Sequence, residues 1–199
     1  MNKARLESFS DGVFAFAITL LVLGIQVPEL RGGGDLELRH ALIHSLSQLV
    51  PYVTSFATIG IIWLNHHELF QSIDRVDHAA LTLNLLLLLI VSFVPYPTAV
   101  LSRFGPMPSS AFLYGLVLTL LGIAFSLLSM HLHKNCLGPD LRSELEMRRH
   151  KWRNIAGTLM YPSAAVLALW WPRVSVLVLL ATSRVLLHSE WANVYFRIM

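Results

Sequence analysis

The chain has 199 residues, 55% of them hydrophobic and 14% charged, with a mean hydropathy of +0.60. That balance places it among polytopic membrane proteins and leaves no room for a sizeable soluble domain. Its net charge of +3 does not mark a nucleic-acid binder, because the basic residues gather at the ends of apolar runs, where they set orientation in a membrane.

The first apolar run, 12–25, follows Arg5-Leu6-Glu7-Ser8-Phe9-Ser10-Asp11. At about 1.5 Å per residue it falls slightly short of a bilayer core of roughly 30 Å, so Phe9, Ser10 and Asp11 are expected just inside the membrane edge. An ionisable group at that depth needs a partner. Basic residues ahead of the run imitate a signal peptide, but the small-residue triplet Ala15-Phe16-Ala17 lies inside the run rather than after it, so an uncleaved first span of about 9–27 is expected. Phe9, Val13, Phe16, Leu20, Leu23 and Val27 recur at alternating spacings of four and three, which draws an apolar seam along one helix face. Asp11 falls about 140° and Ser10 about 120° from Phe16 on the helical wheel. Such a seam also occurs in any transmembrane helix packed in a bundle, so it does not by itself assign a function.

A second span is expected over about 41–68, with Pro51 as a kink. The polar turn Asp74-Arg75-Val76-Asp77-His78 leads into a third, about 79–101, in which Asn84 is the one strongly polar side chain near the inner end and would bond across helices in lipid. Pro95 and Pro97 should bend or end that helix. A fourth span covers about 109–132. The segment 134–154 interleaves basic and acidic residues and reads as a solvated connector or a helix lying on the membrane. Spans of about 155–171 and 174–190 complete a single all-α transmembrane domain of six helices, with Trp152, Trp170, Trp171 and Trp191 placed as an interfacial aromatic belt. Cys136 is the sole cysteine, which excludes an internal disulfide and makes a cysteine-based metal site unexpected.

Orientation follows from the basic residues. With the amino terminus in the cytoplasm, the inner segments hold ten (Lys3, Arg5, Arg75, Lys134, Arg142, Arg148, Arg149, Lys151, Arg153, Arg197) and the outer ones four (Arg31, Arg39, Arg103, Arg173). Both termini are therefore expected in the cytoplasm. Phe9-Ser10-Asp11 and Trp63-Asn65-His66-His67 then lie at one depth, so the Asp11 carboxylate should find histidine, asparagine or arginine donors in a network that fixes the rotation of the first helix. Arg5 could serve that network or the inner surface. A zinc or proton-relay role for His66 and His67 is the sharper alternative, although adjacent helical residues point about 100° apart, which disfavours a shared metal.

Arg5-x-x-x-Phe9-Ser10-Asp11 matches the R-x-x-x-F-S-D signature of the transmembrane protein 175 family of lysosomal and prokaryotic potassium channels, and the chain resembles the prokaryotic branch of that family. Trp63-Leu64-Asn65-His66-His67 resembles a second family signature. The resemblance implies a homotetramer around a central pore, since the motif occurs once here, with no cofactor beyond the permeant potassium ions and no catalytic or metal site. It implies that Phe16 forms the first hydrophobic layer of the constriction, followed by Leu20 and Leu23, with Thr19 flanking the seam. It also implies that Arg5, Phe9, Ser10, Asp11, Trp63, Asn65, His66 and His67 act as a structural network. The family commonly carries isoleucine at the first layer, so Phe16 is a departure. The chain has no T-V-G-Y-G filter, so weak to moderate preference for potassium over sodium is the expectation.

The expected function is thus a potassium-permeable cation channel in a prokaryotic cell membrane, surrounded by lipid, with monovalent cations as its partners. The alternative is a proton- or ion-coupled secondary transporter working through Asp11 and His66; that class favours inverted repeats and a polar midplane site, and neither is visible. A membrane enzyme would need converging catalytic groups, for which only the cluster around Asn65, His66, His67 and Glu68 is dense enough to consider.

Overall fold

The computed structural model describes residues 3–30, 32, 34–136, 166, 167, 170, 171 and 174. The expected fifth and sixth spans, and the connector beyond Cys136, lie almost wholly outside the described residues. Within them every regular element is helical: α1 (Lys3–Leu20), α2 (Asp35–Ser45), α3 (Leu49–Gln71), α4 (His78–Phe93), α5 (Pro95–Phe104) and α6 (Pro108–Asn135). Tight 3-10 turns extend α1 over Leu21–Gly24 and join α2 to α3 over Leu46–Gln48.

The helix boundaries have local causes. Pro51 cannot donate to the carbonyl one turn earlier, and the winding tightens into the 3-10 turn just ahead of it. Asp77 starts α4 by accepting from the Ala80 N–H at 2.7 Å. Pro95 interrupts the ladder at Val94, after which the chain continues in helix as α5. Gly105 ends α5 at φ 69° and ψ −172°, a region essentially open to glycine alone. Pro108 then sits in the first turn of α6, where its missing N–H costs nothing.

α1 lies against α3 and α4, α4 against α6, and α5 against α3, α6 and the 3-10 turn that follows α1. The core between them is apolar, with Phe14, Leu21, Ile59, Phe70, Leu87, Tyr114, Leu118 and Leu128 fully buried. Gly24 fits this packing closely, because a Cβ there would stand 3.1 Å from the Ala99 Cβ. At the opposite end of α1, the Lys3 ammonium donates to the Ile73 carbonyl at 2.8 Å, which ties the start of α1 to the α3–α4 turn. One face of α6, comprising Leu116, Leu120, Ile123, Leu127 and Met130, stays exposed at helical spacing, as a lipid-facing surface would.

Gly105 supplies a direct check on this architecture. Replacing it with alanine forces a side chain into a glycine-only conformation and should cost on the order of 1–3 kcal/mol. The apparent melting temperature in detergent should fall measurably; an unchanged value would show that the α5–α6 turn relaxes at no cost.

Candidate functional site

The residues singled out from the sequence converge where α1, α3 and α4 meet. α1 buries Leu6, Ser10, Phe14, Ala17 and Leu21, one stripe at spacings of four and three. Ser10 sits in that stripe with no exposed surface. It faces Asn84 of α4, whose amide nitrogen donates to Ser10 Oγ at 3.0 Å. Asn84 Oδ1 in turn accepts from His66 Nε2 of α3 at 2.8 Å. Ser10 Oγ donates its own proton to the Leu6 carbonyl at 2.9 Å.

The result is a one-way chain of donors, His66 to Asn84 to Ser10 to Leu6, that joins three helices and requires a proton on His66 Nε2. All three side chains are at most 1% exposed. The His66 ring is held between Phe14, at a centroid distance of 5.4 Å, and Phe70, stacked at 4.3 Å. The two rings fix its position in the core. Among the described residues no buried side-chain nitrogen or oxygen lacks a hydrogen-bond partner.

Asp11 belongs to a second, shallower link. The Trp63 indole donates to Asp11 Oδ1 at 2.8 Å, and Trp63 stacks on His67 at 5.9 Å. The expected histidine, asparagine and arginine donors are thus distributed differently. His66 is engaged with Asn84, Asn65 donates to the Ile61 carbonyl of its own helix at 2.8 Å, and Arg5 is exposed. His67 is exposed and accepts from Gln71 at 2.8 Å, while its neighbour points into the core. Asn84 is the member that motif reasoning left out of the network; its signal was a lone polar side chain in a run of leucines.

Among the described residues, none covers the opposite face of α1. Phe9, Gly12, Phe16, Thr19 and Leu23 are all exposed, Phe16 by 66% and Leu23 by 77%. Val13 and Leu20 are half-buried, and Val13 packs against the core. The uncovered face is therefore turned from the expected seam, running through Gly12 and Thr19 rather than Val13 and Leu20. The regular helix ends at Leu20, so Val27 lies beyond it. Thr19 donates its hydroxyl to the Phe16 carbonyl at 2.8 Å, leaving its oxygen lone pairs outward.

By length and composition the described residues contain four candidate membrane spans, Lys3–Gly24, Asp35–Gln71, His78–Phe104 and Pro108–Asn135. Together with the polar lock, they define an all-helical, multi-pass membrane protein whose first helix presents a bare apolar face. The family model described as "Endosomal/lysosomal potassium channel TMEM175" matches residues 5–95, a stretch that begins at Arg5 and takes in Trp63, His66 and Asn84. A potassium channel of Streptomyces collinus is 42% identical over 174 residues, covering 84% of each chain. One of Chamaesiphon minutus is 42% identical over 133 residues, 65% of this chain and 66% of that one. The crystal structure of a lysosomal potassium-selective channel TMEM175 homolog from Chamaesiphon minutus superposes with a TM-score of 0.84 at 32% identity, covering 94% of this chain and 97% of that one. This chain belongs to the TMEM175 family, which is a family of ion channels and not of enzymes.

The donor chain makes a graded prediction. Asn84→Leu strands the His66 Nε2–H and Ser10 Oγ in the core and should destabilise the protein by roughly 1–3 kcal/mol. Trp63→Phe removes a donor from a partly exposed carboxylate that water can reach in its place, and should cost less. Thermal unfolding of both variants in one detergent reads the order; equal losses would contradict the ranking.

Proposed function

We propose that this chain is a potassium-permeable cation channel in which the uncovered face of α1 lines the pore. The observation that carries the reading is that a bare apolar face and a locked polar face lie on opposite sides of one helix. One helix cannot enclose a pore, but identical chains arranged about a symmetry axis can each contribute the same face. We take the assembly to be four chains of six spans, with both termini in the cytoplasm of a prokaryotic cell. The names of the relatives support potassium as the permeant ion.

In such an assembly Phe16 and Leu23 form rings of apolar side chains, with Leu20 at the edge of each. Rings of this kind gate by excluding water, and partial dehydration of an ion passing them costs sodium more than potassium. The 3-10 winding of Leu21–Gly24 brings residues three apart into line, which stacks Leu20 beneath Leu23. Thr19, between the two rings, offers an oxygen acceptor to a partly hydrated cation, its proton being committed to Phe16. A weak to moderate potassium preference follows from rings without charge or carbonyl ligands. The transporter alternative lacks the converging site it needs, because Asp11 is bound by Trp63 and His66 by Asn84.

Bi-ionic recordings on the purified protein in planar bilayers test the proposal. Wild type should reverse in favour of potassium, and Phe16→Ala and Leu23→Ala should each raise conductance by roughly twofold or more while moving the reversal potential toward zero. Absence of current in wild type and both variants would remove the channel reading. Native mass spectrometry from detergent should give four chains per particle, and a dimer would refute the assembly.

A further inference from the structure

A second polar cluster lies apart from the lock, where the α3–α4 turn meets the end of α6. Asp77 caps α4, His131 sits just over one turn before the end of α6 and Cys136 is the residue that ends it. One donor atom from each lies within 4.8 Å of the other two. His131 Nε2 donates to both carboxylate oxygens of Asp77 at 2.9 Å, and the Cys136 thiol is close enough to the Asp77 backbone to hydrogen-bond with it. We propose that Asp77, His131 and Cys136 form a binding site for a zinc-class divalent cation, with solvent as the fourth ligand.

The geometry fits this use. Tetrahedral zinc holds sulfur at about 2.3 Å and nitrogen or oxygen at about 2.0–2.2 Å, which puts neighbouring donors about 3.3–3.8 Å apart. The three donors all lie within 4.8 Å of one another, so side-chain adjustments of an ångström or so place them around an ion. The set of carboxylate, imidazole and thiolate is selective for zinc or cobalt over magnesium and calcium, which take oxygen ligands. Asp77 is exposed and opens a route from solvent, whereas Cys136 is 2% exposed and closes the inner side. The backbone N–H of Ala80 and the His131 imidazole hold the Asp77 carboxyl below the ordinary carboxylate range, so it is ionised at neutral pH.

The protons balance simply. The Cys136 thiol releases its proton to solvent. The His131 proton moves from Nε2 to Nδ1, where the Asn135 side chain, now donating from Nδ2 at 3.1 Å, can turn its amide and accept. The frame is already connected, since the Asp74 N–H donates to the Cys136 carbonyl at 3.3 Å and Arg75 to the Asn135 carbonyl at 3.4 Å. A bound ion would brace that end of the bundle, where Lys3 also anchors α1.

Cobalt(II) titration of tag-free, reduced protein in detergent tests the site. Cys136 is the only cysteine in the chain, so a thiolate-to-cobalt charge-transfer band has one source. The expected result is a band that saturates at one ion per chain, is bleached by zinc and is absent from Cys136→Ser. Asp77→Asn, which retains a helix-capping oxygen, and His131→Gln should each weaken the affinity read on that band by roughly tenfold or more. These two variants keep the test open if Cys136→Ser does not fold. Cobalt bound without the band, no binding, or affinity unchanged in both variants would overturn the proposal.

Discussion

The rotation of α1 about its own axis is the constraint on which the rest depends, and it is set by the hydrogen-bond chain from His66 through Asn84 to Ser10. Apolar packing in a membrane distinguishes poorly between rotations of a helix that is greasy on every side, because lipid is as apolar as the protein interior. A serine with no exposed surface, facing an asparagine with no exposed surface, has one satisfying orientation. Each such bond between membrane helices contributes only about 0.6–2 kcal/mol. Its importance lies in direction: turning α1 by one residue would carry Ser10 away from Asn84 and strand both polar groups.

The link between Asp11 and Trp63 strengthens the same registration at the next residue of the helix. Two bonds at successive residues, one to α4 and one to α3, fix both the angle and the depth of α1. Gly24 completes the hold at the far end by admitting Ala99 at close range. With three points fixed by the chain's own residues, the face carrying Phe9, Phe16 and Leu23 stays uncovered among the described residues, and this is the face that the proposed pore uses.

Much of this was legible in the sequence because transmembrane helices carry long, unambiguous signals. That the chain is helical with at least four candidate spans was visible from its apolar runs, and the two-sidedness of α1 shows in the spacing of Phe9, Phe16 and Leu23 against Ser10 and Asp11. The finer angle was not legible. Val13 and Leu20 satisfy a heptad as well as Gly12 and Thr19 satisfy exposure, and only the partner of Ser10 decides between them. The division of donors was hidden for a similar reason: the adjacent Ser10 and Asp11 point apart, so Ser10 meets Asn84 and, through it, His66, while Asp11 meets the Trp63 indole. Likewise, Asp77 lies 54 residues before His131, too far for any spacing rule to bring it to His131 and Cys136.

Single-cysteine accessibility along α1 tests the central claim most directly. In channels carrying Cys136→Ser, cysteines would be placed one at a time at Phe14, Phe16, Ala17, Thr19, Leu21 and Leu23, and currents followed during exposure to a cationic thiol reagent. Block at Phe16→Cys, Thr19→Cys and Leu23→Cys, with Phe14→Cys, Ala17→Cys and Leu21→Cys unaffected, is the result that a locked α1 predicts. Block at the buried stripe, or at none of the six, would contradict it.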